Sequence, residues 1–198
     1  MKIIAVDTST ELSSIALVDS GTVISMASHT DARGHVEAIG MLFTELELDQ
    51  NSLPDLIACG VGPGPYTGLR VGIAFAQGLS AAWSVPVIGV CSLDAVANAI
   101  IRQSLVAPGS EFIAATDARR KEYYWAKFDS SGKRLFGPSV DLTETVRELA
   151  LEAGIPLVTD VLPQAIDVAA CASRGDQLSV TPMYLREADA KPSVPVQL

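Results

Sequence analysis

The sequence is short of the residues that small secreted proteins and metal sites depend on. Its 198 residues include three cysteines and two histidines. The odd number and wide spacing of Cys59, Cys91 and Cys171 fit neither a disulfide framework nor a zinc ribbon. We therefore predict three buried, reduced thiols and no metal site.

A long hydrophobic run is also missing at the start of the chain. The apolar opening reaches Asp7 after only a few residues. That is far too early for a signal-peptide core or for a membrane span of about 20 residues. We therefore expect a cytoplasmic protein with no membrane partner.

Basic residues are in the minority, since 14 lysines and arginines stand against 23 aspartates and glutamates, for a net charge of -9. The isoelectric point is about 4.6. Such a field repels phosphate backbones at long range, so we do not expect the chain to bind nucleic acid by itself. Any RNA should be held by a partner.

What is present in quantity is apolar sequence, 48% of the chain, enough to bury a core. The patterning predicts an α/β protein with a lobe at 1–107 and a smaller lobe at 108–198. Three antiparallel strands open the first lobe and a helix begins at His35. The other predicted elements are strands at 55–61, 86–90, 111–116, 122–129, 133–136 and 156–159, and helices at 67–83, 92–104, 143–153 and 162–173. The tail at 191–195 is expected to be loose.

The glycine-rich run GPGPYTGLR at 62–70 joins a buried strand to a helix. Backbone amides at such a turn can cradle a phosphate. Pro63 and Pro65 each remove a donor, and no Walker A lysine follows. We favour a rigid turn over a phosphate cradle, with Thr67 as the N-cap of the helix and Ser92 with Asp94 as caps of the next helix.

The helix after this run is rich in small residues, among them Gly68, Gly72 and Gly78. Glycine inside a helix costs roughly 0.5–1 kcal/mol relative to alanine. Three of them indicate close approach by another backbone. We therefore interpret this helix as a contact surface.

A second polar turn follows the first strand, at residues 7–10. In sugar-kinase and actin-type ATPases a turn at this place handles Mg²⁺ and nucleotide phosphates. Here Thr8 and Ser9 replace the glycines that allow close approach, so a structural turn is favoured. The candidate phosphate contacts, all weak, are Asp7, Thr8, Gly62, Gly64 and Thr67.

Other polar residues suggest less specific roles. His35 and Glu37 are two apart on a helix and so point to different faces, which favours surface or interface roles over ligation. No serine has the surroundings of a hydrolase nucleophile. The one basic cluster is Arg119, Arg120 and Lys121. Beside the aromatic residues at 123–125, it fits an RNA contact, an acidic partner or simply an exposed turn.

Five segments taken together resemble a known family. They are IIAVDTST at 3–10, HVE at 35–37, GPGPYTGLRVG at 62–72, DARR at 117–120 and PMYLR at 182–186. In this order they resemble the TsaB (YeaZ) family of bacterial proteins, which is needed to form threonylcarbamoyladenosine at position 37 of tRNAs that read ANN codons. The resemblance spans nearly the whole chain.

The resemblance implies a two-lobed, actin-like ATPase fold of the sugar-kinase class, with ribonuclease H-like lobes. It also implies a non-catalytic scaffold that forms a heterodimer with the catalytic subunit TsaD, or a homodimer in isolation. TsaE and a TsaC-type protein act with it, and tRNA is contacted only through the complex. The implied partner interface comprises His35, Glu37, Ile39, Phe43, Thr67, Arg70, Val71, Gly72, Phe75 and Gly78.

Departures from the pattern bear on catalysis. The metal-binding histidine pair of TsaD corresponds here to Ser92 and Val96, which cannot hold a metal as such a pair does. Lys121 stands where the family usually has glycine, and Val36 where it usually has serine. We therefore expect no catalytic residue and no tightly bound cofactor in this chain, with ATP or ADP at the partner interface left open.

Two other classes of function stay open. One is an autonomous actin-fold ATPase or kinase that uses Asp7 and the glycine-rich run. The other, a protease, has no motif in the sequence. Binding or turnover of Mg-ATP by the isolated chain distinguishes the first of these from a scaffold.

Overall fold

The first sheet of the computed structural model has five strands and follows from the opening meander. The structure describes residues 1–31, 34–46, 48 and 53–186, so the tail at 191–195 lies outside the described residues. The strands are β1 (Lys2–Asp7), β2 (Leu12–Asp19), β3 (Thr22–Thr30), β4 (Leu56–Gly60) and β5 (Val87–Val90), in the order β3-β2-β1-β4-β5. The pairs β1–β2 and β2–β3 are antiparallel, whereas β4 is parallel to β1 and to β5.

Three helices accompany this sheet: α1 (His35–Thr44), α2 (Tyr66–Trp83) and α3 (Ser92–Arg102). Side chains alternate across a strand, so β1 serves two cores. Ile4 and Val6 pack with α1 and α2, while Ile3 and Ala5 face the opposite side. Helices α1 and α2 therefore cover one face of the sheet, and their outer sides are turned away from it.

The second sheet has four strands, β6 (Phe112–Asp117), β7 (Glu122–Phe128), β8 (Arg134–Leu142) and β9 (Leu157–Val158), in the order β8-β7-β6-β9. Helix α4 (Thr143–Ala153) covers one face with Val146 and Ala150, and α3 covers the other with Leu93 and Ile100. The same arrangement of an antiparallel meander followed by a parallel strand thus occurs in both sheets.

Helix α5 (Ala165–Arg174) returns from the second lobe to the free face of the first sheet, where Val168 and Ala169 pack on β1. It is tied to α3 through Asp167, which is fully buried and accepts hydrogen bonds from Asn98 Nδ2 at 2.8 Å and from Arg102 Nε at 3.0 Å. The two sheets are separate, but helices cross between them. The predicted division at residue 107 stays a prediction.

Most predicted elements lie where the patterning placed them, with one clear exception. We predicted a strand at 133–136, whereas β8 runs from Arg134 to Leu142 and passes through Pro138. Strand β8 is the edge of its sheet, where a proline without an N–H need not break a ladder hydrogen bond.

The three cysteines are buried and unpaired, as the sequence predicts. Burial raises the pKa of Cys91 to about 12, so this thiol stays protonated. Within the described part of the chain, no helix has both the length and the hydropathy needed to cross a bilayer.

Candidate functional site

The glycine-rich run forms the connection between β4 and α2 and is fixed by contacts within the chain. Gly62 has φ +106°, a conformation that favours glycine. Its carbonyl accepts a hydrogen bond from Ser92 N at 2.7 Å. A Cβ on Gly64 would lie 2.3 Å from the carbonyl oxygen of Ser9. The run is therefore packed directly against the polar turn that follows β1.

Asp7 ends β1 beneath this run and is fully buried. Its Oδ1 accepts hydrogen bonds from Ser9 N at 2.8 Å and Ser9 Oγ at 2.7 Å, and its Oδ2 accepts one from Ser92 Oγ at 2.9 Å. Burial raises the pKa of Asp7 to about 6, and these hydrogen bonds offset part of the rise. Donors of this chain thus satisfy both carboxylate oxygens of Asp7.

Thr8 locks the same turn onto α2. Its hydroxyl donates to Gly68 O at 2.7 Å and accepts from Gly72 N at 3.0 Å. A Cβ on Gly68 would lie 2.4 Å from Thr8 O, and one on Gly72 would lie 2.5 Å from Thr8 Oγ1. The close approach predicted for this helix exists, but at these two glycines the neighbour is the chain's own turn.

Gly78 behaves differently from the other two glycines of α2. It is exposed, and a Cβ there would meet nothing within 4 Å. The structure therefore splits the small-residue positions of α2 into an inner pair, Gly68 and Gly72, and an outer one.

Two predicted caps are wrong. Helix α2 begins at Tyr66, with Pro65 at the N-cap position and no side-chain capping bond, so Thr67 lies inside the first turn and is exposed. Helix α3 begins at Ser92 itself, after Cys91. The Ser92 hydroxyl donates to Asp7 Oδ2 at 2.9 Å and accepts from Gly62 N at 3.2 Å, and it does not cap its own helix.

A cleft lies between the two sheets, at the end where the glycine-rich run meets the second lobe. It has a volume of about 290 Å³, and its charged lining residues are Glu11, Asp117, Asp160 and Arg119. Arg119 Nη1 is 3.1 Å from Asp117 Oδ2, so the one cation already has a carboxylate partner. Three acids against one paired arginine make this cleft unfavourable for a triphosphate.

A second, larger groove runs along the outer side of the first lobe between α1 and α2. It has a volume of about 570 Å³ and is lined mainly by apolar side chains, among them Val36, Ile39, Tyr66, Val71 and Phe75. Val36 is 63% exposed. An apolar groove of this kind on a folded chain is typical of a docking surface.

One end of the groove carries a stacked cluster of Tyr66, Arg70 and Tyr184. The two tyrosine rings are stacked with centroids 5.0 Å apart, and the Arg70 guanidinium lies 3.8 Å from the centroid of Tyr66. Arg70 Nε donates to Tyr184 Oη at 3.0 Å. Tyr184 was not among the predicted interface residues. The only sequence signal for it was the segment at 182–186.

The structure brings together some of the predicted interface residues and separates others. Ile39, Thr67, Arg70, Val71 and Phe75 line the groove. The remaining five do not line it: Glu37 and Gly78 are exposed elsewhere on α1 and α2, Phe43 packs edge-on against Phe75 at 5.4 Å, and His35 and Gly72 are buried.

The surface role expected for His35 is wrong. The residue is 5% exposed, and its Nδ1 is hydrogen-bonded to Ser13 Oγ at 2.8 Å. Burial lowers its pKa, and the nearby Asp31 carboxylate opposes that shift. A serine in contact with a histidine is a feature of hydrolases, but Ser13 is also buried, so no substrate reaches this pair. It joins α1 to β2.

Two sheets, the first in the ribonuclease H-like order β3-β2-β1-β4-β5, together with helices that cross between them, define a two-lobed actin-like ATPase fold. The polar turn at residues 7–10 is closed, in the sense that its polar groups are hydrogen-bonded within the chain. The α1–α2 groove, by contrast, is open to solvent.

Comparison with known proteins gives the family. Residues 12–186 match the model of the family TsaD, tRNA N6-adenosine threonylcarbamoyltransferase. An uncharacterized protein of Mycobacterium tuberculosis is 33% identical over 208 residues, which is 96% of this chain and 94% of that protein. The chain therefore belongs to the TsaD family, on the branch of TsaB, also known as YeaZ.

Two further relatives support that branch. The E. coli protein named tRNA threonylcarbamoyladenosine biosynthesis protein TsaB is 39% identical over 133 residues, covering 65% of this chain and 55% of the E. coli protein. The solved structure of YeaZ from Pseudomonas aeruginosa superposes on this chain with a TM-score of 0.71 at 26% identity. The superposition covers 93% of this chain and 99% of the Pseudomonas chain.

Proposed function

We propose that this chain is the non-catalytic partner of TsaD in the synthesis of threonylcarbamoyladenosine at position 37 of ANN-decoding tRNAs. It docks through the α1–α2 groove and activates transfer of the threonylcarbamoyl group from its adenylate to N6 of adenosine 37. The observation that carries the proposal is the contrast between the open apolar groove and the closed turn at Asp7. The names of the E. coli and Haemophilus influenzae relatives support the pathway.

The groove has the composition of a protein interface. Tyrosine and arginine are enriched among residues that dominate binding energy, and they act best where packing already fixes them. Tyr66 and Arg70 are held in the stacked cluster by Tyr184. The apolar side chains of Val36 and Val71 lie beside them in the same groove. A partner surface made of α-helices fits between α1 and α2.

A non-catalytic role is supported by what occupies the two catalytic positions of related proteins. Asp7 accepts three hydrogen bonds from Ser9 and Ser92. Ser92 and Val96 stand where TsaD carries its histidine pair. Val96 lies on α3 and is buried in the core between this helix and the second sheet. Within the described residues no three histidine, cysteine, aspartate or glutamate side chains are placed to hold a metal ion.

The same groove serves a homodimer when TsaD is absent. TsaE and a TsaC-type protein act with the pair, and tRNA reaches this chain only in the complex. The chain itself holds no nucleotide tightly, and ATP or ADP binds, if at all, at the interface with the partner. The acidic lining of the cleft supports this assignment.

Reconstitution tests the proposal. Purified TsaD, TsaE and the TsaC-type protein are incubated with an unmodified ANN-decoding tRNA, threonine, bicarbonate and ATP, with and without this chain. We expect modified adenosine to form at least about tenfold faster when the chain is present, which corresponds to about 1.4 kcal/mol of activation free energy. Equal rates with and without the chain would refute the proposed function.

A further inference from the structure

A third cavity lies where the β7–β8 turn meets the first turn of α3 and the end of α5. It has a volume of about 440 Å³ and is lined by Asp94, the turn residues 131–134, Arg174 and Asp176. Small-molecule sites commonly have volumes of about 300–1,000 Å³. We call it the charged cavity. It shares no lining residue with the α1–α2 groove or with the cleft between the sheets.

Asp94 is the buried acid of the charged cavity and is only 8% exposed. Its Oδ1 is enclosed and accepts no hydrogen bond, and no described residue donates one to Oδ2 either. The nearest cation is Arg134, whose Nε lies 3.5 Å from Oδ1 without forming a hydrogen bond. Buried carboxylates are ordinarily held by hydrogen-bond donors. Asp94 therefore has unused acceptor capacity at the cavity wall.

A neighbouring acid shows what a completed pair looks like in this fold. Asp167 of α5 is fully buried and accepts from Arg102 Nε at 3.0 Å and from Arg102 Nη2 at 2.9 Å. Asn98, one helical turn after Asp94 on α3, adds a third donor at 2.8 Å. The interface between α3 and α5 thus satisfies Asp167 and leaves Asp94 without donors.

The two arginines of the charged cavity differ in how far they are used. Arg174 is held by Asp176 at 3.3 Å and by Asn98 Oδ1 at 2.6 Å. Arg134 donates only to the thiol of Cys91, at 3.3 Å. Burial raises the pKa of Cys91 to about 12, so this acceptor is neutral. Within the described chain, the Arg134 guanidinium therefore lacks a hydrogen bond to any carboxylate.

Lys133 supplies a further cation at the cavity wall. It is exposed, and its ammonium group forms no ion pair with the carboxylates that the structure describes. Asp129 lies in the same turn, but its Oδ1 already accepts from Ser131 N at 2.8 Å, Ser131 Oγ at 2.6 Å and Lys133 N at 3.0 Å. The Lys133 side chain is thus available to a ligand.

These unused groups carry both signs of charge, which restricts the ligand. A polyanion would meet the carboxylates of Asp94 and Asp176, and a simple cation would meet Lys133 and Arg134. A zwitterion avoids both conflicts, because each of its ends faces the opposite charge. In an α-amino acid a single carbon separates the two charged groups, which suits Asp94 and Arg134 at 3.5 Å. Charge-assisted hydrogen bonds at both ends are stronger than neutral ones.

We propose that the charged cavity binds a free α-amino acid, with its ammonium group on Asp94 and its carboxylate on Lys133 and Arg134. The ammonium group supplies the donors that Asp94 lacks, and the planar guanidinium of Arg134 matches a carboxylate. Burial raises the pKa of Asp94 to about 6, so its carboxyl group is mostly ionised at neutral pH. This site does not depend on the docking role, so the chain without partners is sufficient to test it.

Calorimetric titration of the chain with each standard amino acid at millimolar concentration tests the proposal. The methyl ester and the N-acetyl derivative of the tightest-binding amino acid each lack one charge. We expect each derivative to bind at least about tenfold more weakly than the amino acid. The proposal is overturned if no amino acid binds or if both derivatives bind as well as the parent. Binding of inorganic phosphate without binding of any amino acid would also overturn it, in favour of a simple anion site.

Variants assign the binding to the cavity. Lys133→Gln changes an exposed side chain, so it should leave the melting temperature unchanged and weaken amino-acid binding at least about tenfold. Asp94→Asn should weaken binding to a similar degree, and the N-acetyl derivative should then bind as well as the parent. If Asp94→Asn does not fold, Lys133→Gln still decides the question.

Lys121→Gln is the matched control, because Lys121 is also exposed and lies at the opposite end of β7, outside the cavity. It makes the same change of charge and should bind the amino acid as the unsubstituted chain does. Equal affinities of the Lys133→Gln and Lys121→Gln variants, whether both weakened or both unchanged, would overturn the assignment to the charged cavity.

Discussion

The turn at Asp7 and the α1–α2 groove lie on opposite sides of α2. They differ in which side chains are buried and which are exposed. At the turn, polar groups of Asp7, Thr8 and Ser9 are buried and satisfied by hydrogen bonds within the chain. In the groove, apolar groups such as Val36 are exposed. Buried polar groups and exposed apolar patches are the two departures from ordinary burial that carry information.

Helix α2 shows how a single element serves both regions. Its inner face carries Gly68, Leu69, Gly72, Ile73 and Ala76, which are buried against the turn and the sheet. Its outer face contributes Thr67, Arg70 and Ala74 to the groove. The polar turn thus supports the inner face of α2, while the groove that we propose as the docking surface lies on its outer face.

The largest effect is expected from Val36→Asp in the groove. A carboxylate introduced into an apolar contact loses its hydration when the partner docks, so affinity for TsaD should fall by about 100-fold, or about 3 kcal/mol. Since Val36 is 63% exposed, the melting temperature of the chain alone should not change. Calorimetric titration with TsaD measures the affinity.

Leu151→Asp is the matched control, because Leu151 is 82% exposed on α4, far from the groove in sequence and on the second lobe. It should bind TsaD normally. Equal weakening by both substitutions would mean that general surface charge, and not the groove, controls pairing.

The inner face of α2 should respond in stability and not in binding. Gly72→Ala places a Cβ only 2.5 Å from Thr8 Oγ1. This overpacking should lower the free energy of unfolding by about 2 kcal/mol. Gly78→Ala, in open space on the same helix, should raise it by roughly 0.5–1 kcal/mol. Urea denaturation compares the two, and similar effects from both would contradict the division of α2 into two faces.

The stacked cluster should contribute to binding at the end of the groove. Tyr184→Ala removes the ring against which Tyr66 stacks and the acceptor of Arg70, so both lining residues lose their fixed positions. We expect TsaD to bind about tenfold more weakly, or about 1.4 kcal/mol. Tyr184→Phe keeps the stack and should lose less. Unchanged affinity of the alanine variant would remove the cluster from the interface.

The smallest effect is a pH dependence at the closed turn. The folded-state pKa of Asp7 is about 6, raised from 3.8 by burial. Its stabilising contribution is therefore fully present below 3.8 and is lost as pH rises through about 6. Between pH 5 and pH 7 the free energy of unfolding of the unsubstituted chain should fall by about 1 kcal/mol more than that of Asp7→Asn, measured by urea denaturation at each pH. Asp94, whose pKa burial also raises to about 6, remains in both proteins. Parallel pH profiles of the two would show that Asp7 does not titrate in this way.

Sequence reasoning succeeds where the information is local. The helix predicted at 67–83 is observed as Tyr66–Trp83, because small and apolar residues recur at helical spacing. The antiparallel meander at the start is confirmed, since short β-branched runs alternate with turn residues. Ile39, Val71 and Phe75, which the family resemblance implies for a partner interface, line one groove because α1 and α2 are neighbours on one face. Their role in an interface stays a prediction.

It fails where partners are distant in the chain. Ser92 looks like a helix cap, but its hydroxyl bonds to Asp7, 85 positions away. Tyr184 reaches Arg70 across 114 positions. Gly72 was predicted to contact a partner, whereas it packs against Thr8 of the same chain. Thr8 is 64 positions away, so the sequence around Gly72 does not reveal this contact. In each case a tertiary contact decides the role, and local spacing carries no signal for it.

The most direct measurement compares Val36→Asp with Asp7→Asn in the reconstituted formation of threonylcarbamoyladenosine. If the groove is the working surface and the turn a support, Asp7→Asn retains the full rate and Val36→Asp falls to the rate seen without the chain. The opposite result, a full rate with Val36→Asp and no stimulation with Asp7→Asn, would show that the closed turn is the active region and would contradict the docking role.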